Sequence, residues 1–369
     1  MKYTLTLLCL LLSAALFAQK KYYLLAGTYT QGKSTGIYVY DFDSRTGSAR
    51  VVDSVRTANP SYLEVAPNQH DIYAVNENND GEIKAFSFNN SNGHLRPLNT
   101  QPSMGANPCY VTIDRTGKWA FVGNYSSGTL AELPIRSDGT LGAPAKQVAH
   151  QGHGVNKDRQ EGPHVHATVL APDNQWLFVP DLGIDTLKAY SFDAKTGALQ
   201  SSKARSVKLP DGAGPRHFVF HPNGKWAYLV QEMGGKVTVF NYSKGTLTNI
   251  QSISTLPKDF TGSFTSADIH VSPDGRFLYA SNRDVSNTIA IFRINQQVGR
   301  LTAIGHQSTL GRTPRNFNFD PSGNYLLVAN QNTDDVVIFS IDHRTGLLHD
   351  TGNRIQVGNP VCLKWISKN

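Results

Sequence analysis

Four histidines crowd one stretch of the chain. His150, His153, His164 and His166 fall within HQGHGVNKDRQEGPHVHATVL, residues 150–170, beside Asp158, Arg159 and Glu161. Three readings suit such a cluster. A metal site needs three or four ligands converging on one point. A general base needs a pKa close to working pH, and histidine's ordinary value of about 6.5 meets that need. Histidines with neither role most often face solvent, which is the default for His150 and His153. Further along come Arg216 with His217 in GPRH, Glu232 in VQE, Arg283 in SNR and Arg315 in PRN. Guanidinium groups bind carboxylates and oxyanions through paired donors. These groups are far apart in sequence, so the fold must decide whether they meet.

The elements that would position them come from a repeat. The segment HATVLAPDNQWLFVPDLGIDTLKAYSFDAKTGAL is followed by PRHFVFHPNGKWAYLVQEMGGKVTVFNYSKGTL and ADIHVSPDGRFLYASNRDVSNTIAIFRINQQVGRL. Related units begin at Asn59, Asn107 and Pro314. Each reads as strand, Pro-Asp-Gly-type turn, strand, polar loop, strand, turn, strand. Roughly fifty residues carrying four strands is the pattern of a propeller blade. The C-terminal NPVCLKWISKN supplies only a first strand, and the N-terminal KYYLLAGTYTQGKSTGIYVYDFDSRTG lacks only that strand. Together they predict an all-β, seven-bladed β-propeller, closed by pairing the two termini within one blade. Residues 19–369 form one such domain in this reading.

Repeat register then predicts which residues share one mouth. The starts of the first strands form a ring of Ser61, Cys109, His166, Arg216, Ala267, Arg315 and Val361. The loops after the second strands form another, of Thr28, Glu77, Tyr125, Leu182, Glu232, Arg283 and Gln331. His166, Arg216 with His217, Glu232 and Arg283 lie on three consecutive blades, giving one polar wall. Such convergence is the usual form of a small-molecule site. His164 lies two residues before His166 and shares its face on an extended strand. Glu77 is expected to lack arginine and histidine neighbours and to be dispensable, since its own first-strand partners are Ser61 and Cys109. The position before the loop ring reads Gly27, Asn76, Asn124, Asp181, Gln231, Asn282 and Asn330. So many asparagines suggest local turn chemistry and left-handed backbone. Register brings at most two histidines to one point, so no metal is expected.

The flanks and composition bound the rest. MKYTLTLLCLLLSAALFAQK has the pattern of a secretion leader with cleavage after Ala18, so residues 1–18 are read as a signal peptide. The expected product is periplasmic or secreted, without a membrane anchor, and monomeric. Cys109 and Cys362 remain after cleavage, on first strands of non-adjacent blades, too far apart for a disulfide. The net charge is +7 with scattered basic residues, and the only basic run is Lys20-Lys21, which argues against nucleic acid as a partner.

The segments KDRQEGPHVHATVLAPDNQWLFVPDLGIDTLKAY, GAGPRHFVFHPNGKWAYLVQE and SADIHVSPDGRFLYASNR resemble the seven-bladed β-propeller lactonase family. That family includes bacterial 6-phosphogluconolactonases of the propeller type and carboxymuconate lactonizing enzymes. The resemblance spans essentially the whole chain after the leader. It implies a catalytic set of His166, Arg216, Glu232 and Arg283, and chemistry on lactones with no cofactor and no metal. His164, His217 and Arg315 are the associated substrate-binding candidates. The expected activity is hydrolysis of a sugar lactone or related acidic lactone, with His166 or Glu232 as base. A lactonizing cycloisomerase and a non-catalytic ligand- or protein-binding propeller are the alternatives. An export signal departs from the cytoplasmic members that act on a phosphorylated sugar lactone, which leaves the substrate's phosphate open.

Overall fold

The fourth repeat shows how the pattern becomes structure. Pro215–Phe220 turns through Asn223 and Gly224 into Trp226–Gln231, followed by Lys236–Ser243 and Thr246–Ser254. Trp226–Gln231 is buried along its whole length, because both its faces pack against neighbouring blades. Thr246–Ser254 lies at the rim and leaves most of its side chains in solvent. Hydrophobicity thus falls from the axis outward, as the sequence pattern requires. The computed structural model describes residues 21–368, so the segment read as a signal peptide lies outside the described residues.

Seven antiparallel sheets repeat this arrangement around an axis. The third blade carries an extra strand, Val207–Lys208, paired to its third strand Thr186–Asp193. Among the described residues the helical content is two 3₁₀ turns, Leu182–Ile184 and Gln331–Thr333. Tyr22–Thr28 pairs antiparallel with Pro360–Ser367, with Leu24 opposite Trp365 and Ala26 opposite Leu363. The termini therefore close the ring as expected, by completing one four-stranded sheet together. Adjacent blades meet through apolar clusters, such as Trp226, Tyr228 and Val239 of the fourth against Ile269, Leu278 and Phe292 of the fifth.

Close approaches at the far end of each blade demand glycine. Gly245 has φ +81°, and a Cβ there would stand 2.2 Å from Trp176 Cε2 of the preceding blade. Gly299 repeats the contact one blade on, against Trp226. Any side chain at either position would displace an indole from the interface.

The asparagines at the ends of second strands do hold structure, but by a different route from the one expected. Asn76, Asn124, Asn282 and Asn330 all avoid left-handed backbone. Their amides reach the connector that leads into their own blade: Asn76 to Thr57 Oγ1 and Ala58 O, Asn124 to Ser103 O, Asn282 to Thr255 O and Asn330 to Thr309 O. Each is a buried tether, not a local turn. Left-handed backbone falls instead on Asn59, Asn107 and Asn359, each directly before the proline that precedes or opens an inner strand, and on Asn174 and Asn287 between strands.

Candidate active site

Where the inner strand meets the second strand, the ladder slips. In the fourth blade Pro215 faces Gln231 but Phe218 faces Leu229, so Arg216 and His217 together oppose Val230. The slip recurs around Cys109, Ala267, Arg315 and Val361. In these five blades the ring residue predicted from register sits in a β-bulge. An extra residue at that point bends the strand and re-aims the side chain. This repeated irregularity places Arg216 and Arg315 in the wall of the mouth.

The mouth encloses a cavity of about 360 Å³, whose lining includes Tyr29, Glu77, Tyr125, Arg159, His166, Glu232, Arg283 and Arg315. Glu232 is its organising group. Its Oε2 accepts from Arg216 Nε at 2.8 Å, and its Oε1 accepts from Arg159 Nη2 at 2.6 Å. Arg283 Nη2 approaches Oε1 at 3.3 Å. Burial alone would raise this carboxyl's pKa, but Arg283, Arg216 and Arg159 outweigh burial and hold it at about 2. Glu232 is therefore a fixed anion with both oxygens occupied.

His166 stands beside it with a free nitrogen. Its Nε2 is 3.9 Å from Glu232 Oε2, beyond hydrogen-bond range, while Nδ1 lies 3.7 Å from Cys109 Sγ. Burial, then the charge of Arg216, drives its pKa well below the ordinary value, so the ring is neutral. Burial raises the Cys109 thiol, which leaves it protonated and a weak nucleophile.

The four arginines differ in availability. Arg216 is fully buried and held on two sides: beyond Glu232, its Nη1 donates to Ala267 O at 2.6 Å and faces His217 Nε2 at 3.3 Å. Its burial pulls it down to about 10, with Arg283 and Arg315 adding to the effect. Arg283 Nε is buried with no hydrogen-bond partner. Arg315 lies over the Tyr29 ring and comes no closer than 3.8 Å to Glu77. Arg283 and Arg315, with the part-exposed Arg159, thus carry the donors left for a ligand. Counting Arg159, Arg216, Arg283 and Arg315 against Glu77, Glu232 and Asp284, the mouth holds one net positive charge.

Of the residues expected here, His166, Glu232, Arg283 and Arg315 line the cavity, and Arg216 braces Glu232 from beneath. His164 stacks on Tyr125 at 4.5 Å and pairs with Glu161 behind the wall. His217 lies below, bonded to Asp268. Two expectations need correction. Glu77 does have an arginine neighbour, Arg315, and it accepts from Tyr29 OH at 2.8 Å. Register gives the ring order, but the ring is narrow enough for the first and sixth blades to meet across the seventh. His150 is not a surface residue either. It is buried between Asp181 Oδ2 at 2.6 Å and Tyr190 OH at 2.7 Å. His153 is exposed, as expected.

The residue that repeat reasoning missed is Arg159. It sits on a strap that belongs to no blade position, so register carried no signal for it. His150 pins one end of the strap. Buried Gln160 pins it beside the arginine, donating to Leu182 O and Asp185 Oδ1 at 2.9 and 2.8 Å. Among the described residues, no group of three or more His, Cys, Asp or Glu could hold a metal ion. No helix among them is long and apolar enough to cross a membrane.

Comparison with known proteins shows the family. The family model for the lactonase with a 7-bladed β-propeller matches residues 23–365. A 6-phosphogluconolactonase from Formosa agariphila is 37% identical over 92% of this chain and 98% of its own length. One from Bacillus subtilis is 35% identical over 94% and 99%. The solved periplasmic gluconolactonase of Pseudomonas aeruginosa superposes with a TM-score of 0.91 at 36% identity, covering 95% of this chain and all of that one. The chain belongs to the seven-bladed β-propeller lactonase family.

Proposed function

We propose that this protein hydrolyses a sugar lactone at the mouth of the propeller. Its class, a lactone hydrolase of the 6-phosphogluconolactonase-like kind, comes with the family. The observation that carries the mechanism is the contrast between His166 and Glu232. One has a free nitrogen facing the cavity, and the other has both oxygens engaged by guanidiniums.

His166 Nε2 takes a proton from water as the water oxygen attacks the lactone carbonyl. The tetrahedral oxyanion is received by Arg283 and Arg315, which line the cavity; a well-placed donor of this kind contributes about 3 kcal/mol. Collapse breaks the ring C–O bond, and the imidazolium returns its proton to the leaving alkoxide. Glu232 stabilises the transient imidazolium at short range and keeps Arg159, Arg216 and Arg283 together. The arginines that depress His166 are partly neutralised when an oxyanion forms, so the base strengthens as the reaction proceeds.

A net positive mouth favours a lactone bearing a carboxylate or phosphate. The leader-like N-terminus and the periplasmic relative favour an exported enzyme acting on an unphosphorylated aldonolactone or its acid derivative. A pH-stat screen of neutral, carboxylated and phosphorylated lactones tests the proposal. No turnover with any of them would leave a binding propeller as the better reading.

A further inference from the structure

Below the mouth the wall continues as a chain of hydrogen bonds that the chemistry above does not use. His217 Nε2 faces Arg216 Nη1 at 3.3 Å, and its Nδ1 lies 2.7 Å from Asp268 Oδ1. An arginine nitrogen can only donate, so Nε2 must accept and Nδ1 must carry the proton. Asp268 can only accept when ionised, which enforces the same tautomer from the other side. Its ionisation is secure, because His270 Nε2 at 3.0 Å, Asn316 Nδ2 at 2.5 Å and Ile269 N at 2.9 Å also contact it. Asp268, His217 and Arg216 are all buried.

We infer that Asp268 is a positioning residue for the lactonase reaction, acting through the His217 tautomer to hold Arg216 and, through Arg216, the Glu232 carboxylate. This rests on the proposed role of Glu232 in the wall. Without Asp268 the imidazole is free to place a proton on Nε2. That nitrogen would then meet Arg216 donor to donor, and the guanidinium would swing away from Glu232. The order Asp268–His217–Arg216–Glu232 runs across the fourth and fifth blades, so the catalytic carboxylate is braced from the channel as well as from the strap.

Asp268→Asn is the test, because it keeps shape but allows the side-chain amide to donate. Turnover should fall on the order of 10²-fold, the cost of small misplacements in a site, with KM little changed. The same change made on a His217→Gln background should cost little further, since a glutamine amide can rotate to suit either neighbour. Equal losses in both backgrounds would overturn the inference. Asn316→Ser removes a contact to Asp268 without touching His217. It should lower the melting temperature but leave kcat nearly unaltered, and a matching loss of kcat would reduce Asp268 to a structural post. Long-range ¹H–¹⁵N spectra of the imidazole rings give a check that needs no substrate. The wild type should show His217 protonated at Nδ1 alone, and protonation at Nε2 would overturn the inference even if no lactone were turned over.

Discussion

Arg216 Nε donates to Glu232 Oε2 at 2.8 Å while its Nη1 donates to the backbone of Ala267 on the next blade at 2.6 Å. One guanidinium thus fixes the carboxylate at the mouth and locks two blades together. Arg216→Lys keeps the charge but loses the planar fork. It should lower turnover by on the order of 10²-fold and also lower the melting temperature. Kinetics paired with thermal denaturation would check both. A change in KM alone would show that Arg216 merely binds substrate.

The two base candidates separate by pH. Burial and Arg216 depress His166 well below its ordinary value, so the base form is already the major one at neutral pH. The acid limb of kcat/KM should therefore lie below pH 6.5, and its loss on replacing His166 identifies the group that titrates. His166→Asn should cost ~10²–10⁴ in rate. An acid limb that survived this replacement would assign the base elsewhere.

Glu232→Gln removes the counter-charge of three arginines. The expected result is loss of activity together with loss of stability, because Arg159, Arg216 and Arg283 then repel one another. Glu77→Gln should raise KM several-fold with a smaller effect on kcat, since it loosens only Arg315 and Tyr29. Steady-state kinetics on both variants would decide, and an unaffected Glu77→Gln would mean that Arg315 needs no partner.

Stability should depend on pH through His217. Burial, then Arg216, lowers its folded pKa from the ordinary 6.5 to about 4. The unfolded chain therefore binds a proton first as the pH falls. The stabilisation is complete above pH 6.5 and is lost progressively toward pH 4, amounting to about 3 kcal/mol. Denaturant titrations across that window should show the slope, and His217→Gln should make it shallower, the remainder coming from His166, which burial also depresses.

Deleting residues 360–369 removes the strand that pairs with Tyr22–Thr28 and closes the ring. The truncated protein should melt far lower or fail to fold. Cooperative melting at the original temperature would show that closure is not needed. Treatment with a chelator should leave lactonase activity intact, and loss restored by added zinc or calcium would argue for a metal.

The architecture was legible because a blade is a local pattern. Alternating strands, Pro-Asp-Gly turns and two complementary half-blades determined the seven sheets and the closure between termini. Register also placed His166, Glu232, Arg283 and Arg315 around one mouth, since the starts of inner strands and the loops after second strands open on the same face in every blade. What register does not encode is distance across the ring or anything outside the repeat. Arg159 rides on a strap with no counterpart in other blades, and only packing of His150 and Gln160 beneath it brings its guanidinium to Glu232. Glu77 and Arg315 meet because the channel is narrow, a dimension set by how tightly seven inner strands pack. The division between the engaged Arg216 and the freer Arg283 and Arg315 was likewise decided in three dimensions, by which acceptors lie within reach of each buried fork.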